Sequence, residues 1–243
     1  MTPRFCKAMG RFITLEGGEG AGKSTQARIL AEALSGLGLP VLLTREPGGA
    51  PGAEHLRELL LGGNIAWSAP AEVLLHFAAR AEHVERTIRP ALAAGMWVVC
   101  DRFADSTMVY QGWGQGADRT AIATLTGMLG VRPDLTLVLD VAVPTTLARL
   151  AQRGAAADRY ERLGAGFFAT VREGFRAVAA GDAARCVVVD AEPGADAVAA
   201  AVLGAVRARF GIRAIPVPGN CGAMRQAPRG CCGSGCGPGS YMG

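Results

Sequence analysis

The chain has 243 residues, of which 50% are hydrophobic and 19% are charged, and its formal net charge is +4. This is the profile of a globular protein with one substantial core, and it excludes wholesale disorder. No basic block marks a nucleic-acid surface, and neither the N-terminus nor any apolar run resembles a signal peptide or a membrane span, so we expect a soluble cytoplasmic protein.

Apolar runs of strand length alternate with longer stretches of helical periodicity. Helices are predicted from a glycine-rich loop to about Leu37 and over 53–61, 69–94 (with a kink at Pro90), 144–153, 161–180 and 196–210. The predicted strands cover 11–16, 39–45, 96–101, 134–140 and 185–191. They are continuously apolar, which is typical of a parallel sheet covered on both faces. The predicted fold class is therefore α/β, with a five-stranded parallel sheet and helices on both sides.

Ligands of such sheets bind at the carboxyl ends of the strands. That edge would collect residues 16–25 and 45–49, the pair Asp101 and Arg102, and Asp140. Asp101 ends an apolar strand, so we predict that its carboxylate acts at a metal ion and that Arg102 places a cation beside phosphates. Asp140 is left open between a structural turn and a supporting role near the metal.

The stretch LEGGEGAGKST, residues 15–25, follows a predicted strand and opens a predicted helix. It matches G-x-x-x-x-G-K-[ST], a loop whose backbone N–H groups and lysine hold phosphates while its hydroxyl ligates Mg²⁺. We therefore predict an ATP site with Mg²⁺ as cofactor, formed by Gly17, Gly18, Glu19, Gly20, Ala21, Gly22, Lys23, Ser24 and Thr25. The carboxylate of Glu19 is unexpected inside an anion-binding loop. The loop by itself does not distinguish a kinase from a motor, a switch or a transporter subunit.

Four arginines lie in the stretch RLAQRGAAADRYER, residues 149–162. Its small central residues suggest a mobile lid that delivers an arginine to bound substrates. The charge pattern alone favours a solvated helix–loop surface instead. The glycine loop contains no arginine, however, so a phosphoryl-transfer enzyme would need one from elsewhere.

The composition changes abruptly after residue 212. Segment 213–243 is dense in glycine and proline and holds four of the seven cysteines. Because it has no C-x₂-C pair and no nearby histidine, we predict a disordered appendage rather than a metal site. Cys100 and Cys186 adjoin apolar strands and are predicted to be reduced packing residues.

Seven motifs in order resemble those of the bacterial thymidylate kinases, P-loop nucleoside monophosphate kinases that pass the γ-phosphoryl group of ATP to dTMP. They are LEGGEGAGKST, TREPGG (44–49), FAARAEHV (77–84), RPALAAGMWVVCDRF (89–103), STMVYQG (106–112), DLTLVLDV (134–141) and RGAAADRYE (153–161). The resemblance extends from about residue 11 to residue 210. It implies one kinase domain over 1–212 with a lid near 149–162, ATP and dTMP as substrates, and a homodimer for which helix 69–94 offers a face.

The resemblance also implies roles for single residues. Glu19 would face the 3′-hydroxyl of dTMP, so that its charge need not repel ATP. Lys23, Arg102 and Arg153 would be catalytic, with Arg153 as the lid arginine of the subtype whose glycine loop lacks one. The implied dTMP contacts are Arg45 and Arg102 at the phosphate, Arg80 at the base, Tyr110 beside the sugar, and Thr107 and Gln111 nearby.

One position departs from the family pattern. The family usually has a phenylalanine four residues before the position of Arg80, stacked on thymine, and this chain has His76 there, followed by Phe77. Either the imidazole stacks on the base or a small rotation of the helix brings Phe77 inward, although Phe77 could equally be a core residue. His55 and His83 are predicted to face solvent.

Two other functions stay open. A kinase for uridylate, cytidylate or guanylate would share the fold, but TREPGG and STMVYQG argue against it. A P-loop switch or regulatory ATPase would hydrolyse ATP without an acceptor, and it would need neither DRF nor an arginine-rich lid.

Overall fold

The protein was analysed as a computed structural model, which describes residues 10–62, 65–153 and 160–212. Five parallel strands form one sheet in the order β2-β3-β1-β4-β5. Each strand ends within two residues of its predicted position: β1 (Arg11–Gly17), β2 (Val41–Arg45), β3 (Trp97–Asp101), β4 (Leu135–Asp140) and β5 (Cys186–Asp190). The central strand β1 therefore carries the glycine loop to the middle of the carboxyl edge.

The helices of the described ranges flank this sheet. They are α1 (Lys23–Gly36), α2 (Pro51–Leu61), α3 (Ala69–His83), α4 (Arg89–Ala93), α5 (Ala104–Thr107), α6 (Arg119–Met128), α7 (Val143–Arg153), α8 (Gly164–Gly181) and α9 (Ala195–Phe210). None of them is long and apolar enough to cross a bilayer.

Successive residues of β1 pack on opposite sides of the sheet. Phe12 belongs to a buried cluster with Val73 of α3, whereas Ile13 belongs to a cluster with Leu30 of α1. Parallel strands need such two-sided cover because both rows of side chains must leave water. The predicted fold class, a parallel sheet between helical layers, is confirmed. Cys100 and Cys186 are both buried free thiols, as predicted.

The predicted helix 69–94 is interrupted by one π-helical segment. The segment Val84–Ile88 lies between α3 and α4, and Pro90 occupies the first turn of α4. A proline has no N–H to donate to the preceding turn, and a wider turn before it accommodates the missing hydrogen bond. The interruption therefore lies just before the predicted kink.

The helical structure between β3 and β4 was not predicted from the sequence. Here α5 continues into a π-helical segment, Met108–Gly114, and α6 comes after a short loop. Glycines and β-branched residues weaken the helical pattern in this region. A usable signal was present at Asp118, whose carboxylate accepts hydrogen bonds from the N–H groups of Thr120 and Ala121 at the start of α6.

Candidate active site

A cavity of about 520 Å³ opens at the carboxyl edge of the sheet. The residues of this edge lie close together because neighbouring parallel strands end at matching positions. Asp101 of β3 pairs in register with Leu15 of β1 and with Arg45 of β2. The sequence-predicted residues that line the cavity are Glu19, Gly20, Gly22, Lys23, Ser24, Thr25, Arg45, His76, Arg80, Asp101, Arg102, Thr107, Tyr110 and Gln111. Gly17, Gly18, Ala21 and Phe77 are not among its lining residues.

The glycine loop joins β1 to α1 through backbone conformations that only glycine adopts easily. Gly17 has φ 136°, and a Cβ there would lie 2.5 Å from the carbonyl oxygen of Leu139 on the neighbouring strand. Gly22 has φ 87° immediately before α1. The first turn of α1 therefore directs its free N–H groups toward the cavity edge, as a phosphate-binding loop requires.

Lys23 is almost fully buried at the start of α1. Its ammonium group donates to the carbonyl oxygen of Gly18 at 2.6 Å. Burial, and after it the nearby charge of Arg102, lower the pKa of Lys23 to about 8. A buried ammonium group is well suited to bind an anion, because a phosphate would stabilise the charge that burial disfavours.

Ser24 and Asp101 form a second oxygen-rich group at the same edge. The Ser24 hydroxyl donates to Oδ2 of Asp101, and Oδ1 of Asp101 is buried and has no hydrogen-bond partner in the described part of the chain. Mg²⁺ prefers hard oxygen ligands and usually takes one or two from protein, with phosphate and water completing the shell. The unpaired carboxylate oxygen beside a hydroxyl therefore fits the predicted Mg²⁺ ligands.

Arg102 comes directly after Asp101 in an unusual backbone conformation. Its φ of 71° is the only positive value at a non-glycine residue within the described ranges. Its guanidinium donates to the carbonyl oxygen of Gly17 at 3.2 Å, to Glu19 at 2.5 Å and to the Tyr110 hydroxyl at 3.3 Å. The side chain is thus aimed back across the glycine loop, beside the place where phosphates would bind.

Glu19 lines the cavity and is bound by two side chains that come after β3. Its Oε1 accepts from Arg102 and, at 3.0 Å, from the Tyr110 hydroxyl. Burial, ahead of the opposing effect of Arg102, raises the pKa of Tyr110 well above its usual value, so the phenol keeps its proton and donates. A negative charge is therefore tolerated in this anion-binding loop because the guanidinium of Arg102 compensates it.

Arg45 ends β2 and extends into the cavity with its side chain half exposed. It makes two hydrogen bonds to Glu54, at 3.2 and 3.1 Å. Arg57 also lines the cavity and donates to the carbonyl oxygen of Pro47 at 2.7 Å. Arg57 was not predicted to line the site, because in the sequence it resembles an ordinary charged residue on the surface of a helix.

Arg80 is held in a buried polar network. Its Nε donates to Glu46 at 2.6 Å, and one terminal nitrogen donates to Thr107 at 3.1 Å. The other terminal nitrogen, Nη1, is buried and has no hydrogen-bond partner in the described ranges. The second oxygen of Glu46 contacts Nδ1 of His83 at 3.0 Å, and Nε2 of His83 lies 2.8 Å from the Thr44 hydroxyl.

The expectation that His83 faces solvent was wrong. His83 is the last residue of α3, and its side chain is completely buried against the end of β2. There it contacts the carboxylate of Glu46, which also binds Arg80. Helical periodicity alone could not reveal a polar partner that is distant in sequence. His55 is exposed, as predicted.

His76 and Phe77 occupy different environments. His76 lines the cavity, and its Nε2 lies 3.2 Å from the Tyr160 hydroxyl. Phe77 is buried in the hydrophobic cluster that contains Phe12, and the Arg80 guanidinium lies 4.8 Å from the centre of its ring. The imidazole therefore forms the cavity wall, and the phenyl ring supports Arg80 from the core side.

Gln111 is oriented by a buried carboxylate that the sequence analysis did not single out. Its amide nitrogen donates to Glu72 at 2.9 Å and to the Tyr160 hydroxyl at 3.0 Å. Both protons of the amide are thereby engaged, so the amide carbonyl is the group left to act as an acceptor. Tyr160 also donates to Glu72, at 2.5 Å.

Comparison with known proteins identifies the family to which the chain belongs. The family model "Thymidylate kinase" matches residues 15–202. A protein named thymidylate kinase from Gluconobacter oxydans is 52% identical over 211 residues, which are 85% of this chain and 98% of that protein. One from Caulobacter vibrioides is 50% identical over 206 residues, 84% of this chain and 99% of that protein. The chain belongs to the thymidylate kinase family.

A solved structure of a thymidylate kinase supports the fold. The crystal structure from Ehrlichia chaffeensis superposes with a TM-score of 0.68 at 34% identity, and the match covers 82% of this chain and 99% of the Ehrlichia chain. It confirms the α/β fold of a P-loop nucleoside monophosphate kinase.

The segment that the family resemblance identifies as a lid is described only at its two ends. The side chain of Arg153 and residues 154–159 lie outside the described residues. Arg149, in α7, donates to the carbonyl oxygen of Gly20 at 3.2 Å and to that of Ala191 at 2.9 Å. One arginine of the predicted lid therefore contacts the glycine loop of this thymidylate kinase family member.

Asp140 does not line the main cavity. It accepts two hydrogen bonds from Arg172, at 2.7 and 2.9 Å, and one from Arg176, at 3.0 Å. The hydrogen bonds from Arg172 hold the pKa of Asp140 below its usual value. Of the two alternatives left open by the sequence, these contacts favour the structural one, in which Asp140 fastens α8 to the end of β4.

Proposed function

We propose that this chain is a thymidylate kinase that transfers the γ-phosphoryl group of ATP to dTMP, giving dTDP for dTTP biosynthesis. The observation that carries the proposal is the shared cavity. Its lining includes both the glycine loop with Lys23 and the buried Arg80 with its unpaired Nη1. Arg102 also lines the cavity and contacts Gly17 and Glu19. A phosphoryl donor and an acceptor could therefore meet at a cationic centre.

On the donor side, Lys23 and the N–H groups around Gly22 would bind the β- and γ-phosphates of ATP. Ser24 and Asp101 would hold Mg²⁺, which would supply positive charge to neutralise the phosphates. Arg102 would stabilise the charge that develops on the transferring group, since its guanidinium is already fixed by Gly17 and Tyr110. Arg153 would add a second arginine from the lid.

On the acceptor side, Arg45 would bind the phosphate of dTMP together with Arg102. Tyr110 would lie beside the deoxyribose, and Glu19 would accept a hydrogen bond from its 3′-hydroxyl. The base would contact Arg80, Thr107, the carbonyl group of Gln111 and the His76 ring. We assign stacking to His76 rather than Phe77 because the imidazole lines the cavity while Phe77 packs in the core.

The test measures ATP consumption with and without an acceptor. We expect turnover that depends on added dTMP and falls strongly when dTMP is replaced by UMP, CMP or GMP. Equal hydrolysis without any acceptor would contradict a kinase and favour a P-loop ATPase switch. If turnover is highest with another nucleoside monophosphate, the protein is still a kinase, but its substrate is not dTMP.

We further propose a cytoplasmic homodimer, on the strength of the family resemblance. Leu74 of α3 is 59% exposed, and this helix belongs to the face expected to pair. Sedimentation should give twice the mass of the chain, and Leu74→Glu should lower that mass. A monomer at micromolar concentration would contradict the proposal.

A further inference from the structure

Glu16 is a buried acid that the proposed mechanism does not use. It is the residue before Gly17 in β1, and its side chain has no solvent exposure. Burial, and after it the charge of Asp105, raise its pKa to about 8. A carboxyl group in such surroundings is costly to keep, because no water remains to solvate it. Its contacts therefore need an explanation other than general packing.

Both oxygens of Glu16 contact the turn directly after Asp101. Oε1 accepts from the backbone N–H of Phe103 at 2.7 Å, and Oε2 accepts from the Ser106 hydroxyl at 2.6 Å. The Phe103 N–H belongs to the peptide group directly after Arg102. A hydrogen bond to this group fixes its direction, and with it the ψ angle of Arg102.

Arg102 needs such support because its φ of 71° is sterically unfavourable for a residue with a Cβ. Strained conformations persist only where the surroundings enforce them. The N–H of Arg102 donates to the carbonyl oxygen of Leu15 at 3.0 Å, and the next N–H donates to Glu16. Two successive peptide groups of the turn are thus held by two successive residues of β1.

Ser106 extends the effect of Glu16 to the side chain of Arg102. While its hydroxyl donates to Glu16, its oxygen accepts from Nη1 of Arg102 at 3.3 Å. The same Nη1 donates to the carbonyl oxygen of Gly17, the residue after Glu16. The carboxyl group therefore fixes both the backbone and, through Ser106, the guanidinium of Arg102.

We infer that Glu16 is a positioning residue for phosphoryl transfer, which holds the Arg102–Phe103 turn in the conformation that aims the Arg102 guanidinium across the glycine loop. This inference rests on the proposed function, since Arg102 is taken to contact the transferring phosphoryl group. Glu16 itself contacts no substrate. Its effect should therefore pass entirely through Arg102.

The decisive experiment is a double-mutant cycle on kcat. Glu16→Met keeps the length of the side chain and removes both acceptors, so kcat should fall by about tenfold or more while the affinity for an ATP analogue stays within about twofold. Glu16→Gln keeps an acceptor for the Phe103 N–H and should recover most of the loss. In an Arg102→Ala background, Glu16→Met should change kcat by less than about twofold. An equal loss in both backgrounds, or an unchanged kcat in folded Glu16→Met, would overturn the inference.

Thr14→Val is the matched control for a structural effect. Thr14 precedes Glu16 by two residues on the same strand, and its hydroxyl makes a buried hydrogen bond of 2.7 Å with Thr136. The substitution by valine removes this bond. It should lower the melting temperature without lowering kcat. If Thr14→Val lowers kcat as much as Glu16→Met does, the loss of kcat reflects a general disturbance of β1 and not the positioning of Arg102.

Two further measurements keep the inference testable. If Glu16→Met does not fold, Glu16→Asp replaces it in the cycle, because the shorter acid cannot reach both Phe103 and Ser106. If the wild-type protein shows no dTMP-dependent turnover, the proposed function fails, and a crystal structure of the folded variant decides the inference alone. Arg102 should then leave the positive φ region, and its guanidinium should leave Gly17. An unchanged Arg102 would overturn the inference.

Discussion

Glu19 is the residue at which substitution best distinguishes the donor side of the site from the acceptor side. It is bound by Arg102, which also contacts Gly17 of the glycine loop, and by Tyr110, which is proposed to lie beside the sugar of the acceptor. If it also accepts from the 3′-hydroxyl of dTMP, Glu19→Ala should lower kcat/KM for dTMP by about ten- to a hundredfold, since a hydrogen bond to a charged group is worth roughly 1.5–3 kcal/mol. Binding of an ATP analogue should change little.

The acceptor 3′-deoxy-dTMP isolates this hydrogen bond from the loss of the Arg102 contact. Wild type should use it poorly, because the carboxylate is left without its donor, whereas Glu19→Ala should discriminate far less between the two acceptors. Loss of the Arg102 contact would affect both acceptors equally. A coupling energy near zero between the Glu19 side chain and the 3′-hydroxyl of dTMP would mean that Glu19 does not bind the sugar.

Lys23 gives a prediction about pH. Its pKa is lowered from a usual value of 10.5 to about 8, chiefly by burial. Between these values the unfolded chain binds more protons than the folded one, so the free energy of unfolding contributed by Lys23 rises as pH increases. Relative to Lys23→Met, wild type should gain up to about 3 kcal/mol between pH 8 and pH 10.5.

Urea unfolding of both proteins across this range, without nucleotide, measures the difference, and other titrating groups cancel because both proteins contain them. A difference that stays constant with pH would mean that Lys23 keeps an ordinary pKa in the folded protein. A saturating ATP analogue should move the rise to higher pH, because bound phosphates favour the charged ammonium group.

At the scale of secondary-structure elements, the site depends on the residues that come directly after each strand. β1 leads into the glycine loop, β2 ends at Arg45 and leads into Glu46, and β3 leads into the strained turn at Arg102. The turns differ in sequence, but the parallel sheet brings them to one edge. α7 adds the predicted lid, whose described end already contacts the glycine loop through Arg149.

The lid prediction concerns two arginines one helical turn apart. Arg153→Ala should lower kcat by about a hundredfold or more and change dTMP binding little, if its charge acts chiefly in the transition state. Arg149→Ala is the matched comparison and should act mainly on ATP affinity, since Arg149 contacts the loop backbone. A large loss of kcat in Arg149→Ala with a silent Arg153→Ala would move the lid assignment to Arg149.

At the scale of the whole molecule, the C-terminal segment 213–243 is predicted to be dispensable. The match to the Ehrlichia kinase covers 99% of that protein with 82% of this chain, and the family model matches residues 15–202. Segment 213–243 lies outside the described residues. A chain that ends at Ile212 should keep its kcat, and its free energy of unfolding should change by less than about 1 kcal/mol. A loss above about 2 kcal/mol would show that the segment packs on the kinase domain.

The amino-acid sequence by itself determined the five strands, the parallel sheet and the chemistry of its edge. Continuous apolar strands bury both rows of their side chains in a sheet that is covered on both faces, and the glycine loop needs only local backbone geometry. Both are encoded by residues close together in the chain. The same holds for Asp118, a cap whose local signal was present but overlooked.

Only the tertiary structure decided which polar residues meet. His83 is buried by Glu46 and Thr44, which precede it by 37 and 39 residues. His76 rather than Phe77 lines the cavity because packing of α3 on the sheet sets its rotation. Glu16 contacts Phe103 and Ser106 because β1 and β3 are neighbours in the sheet, although 87 and 90 residues separate the partners. Helical or strand periodicity states which face a residue occupies, but burial of a polar group depends on a partner that only the packed chain supplies.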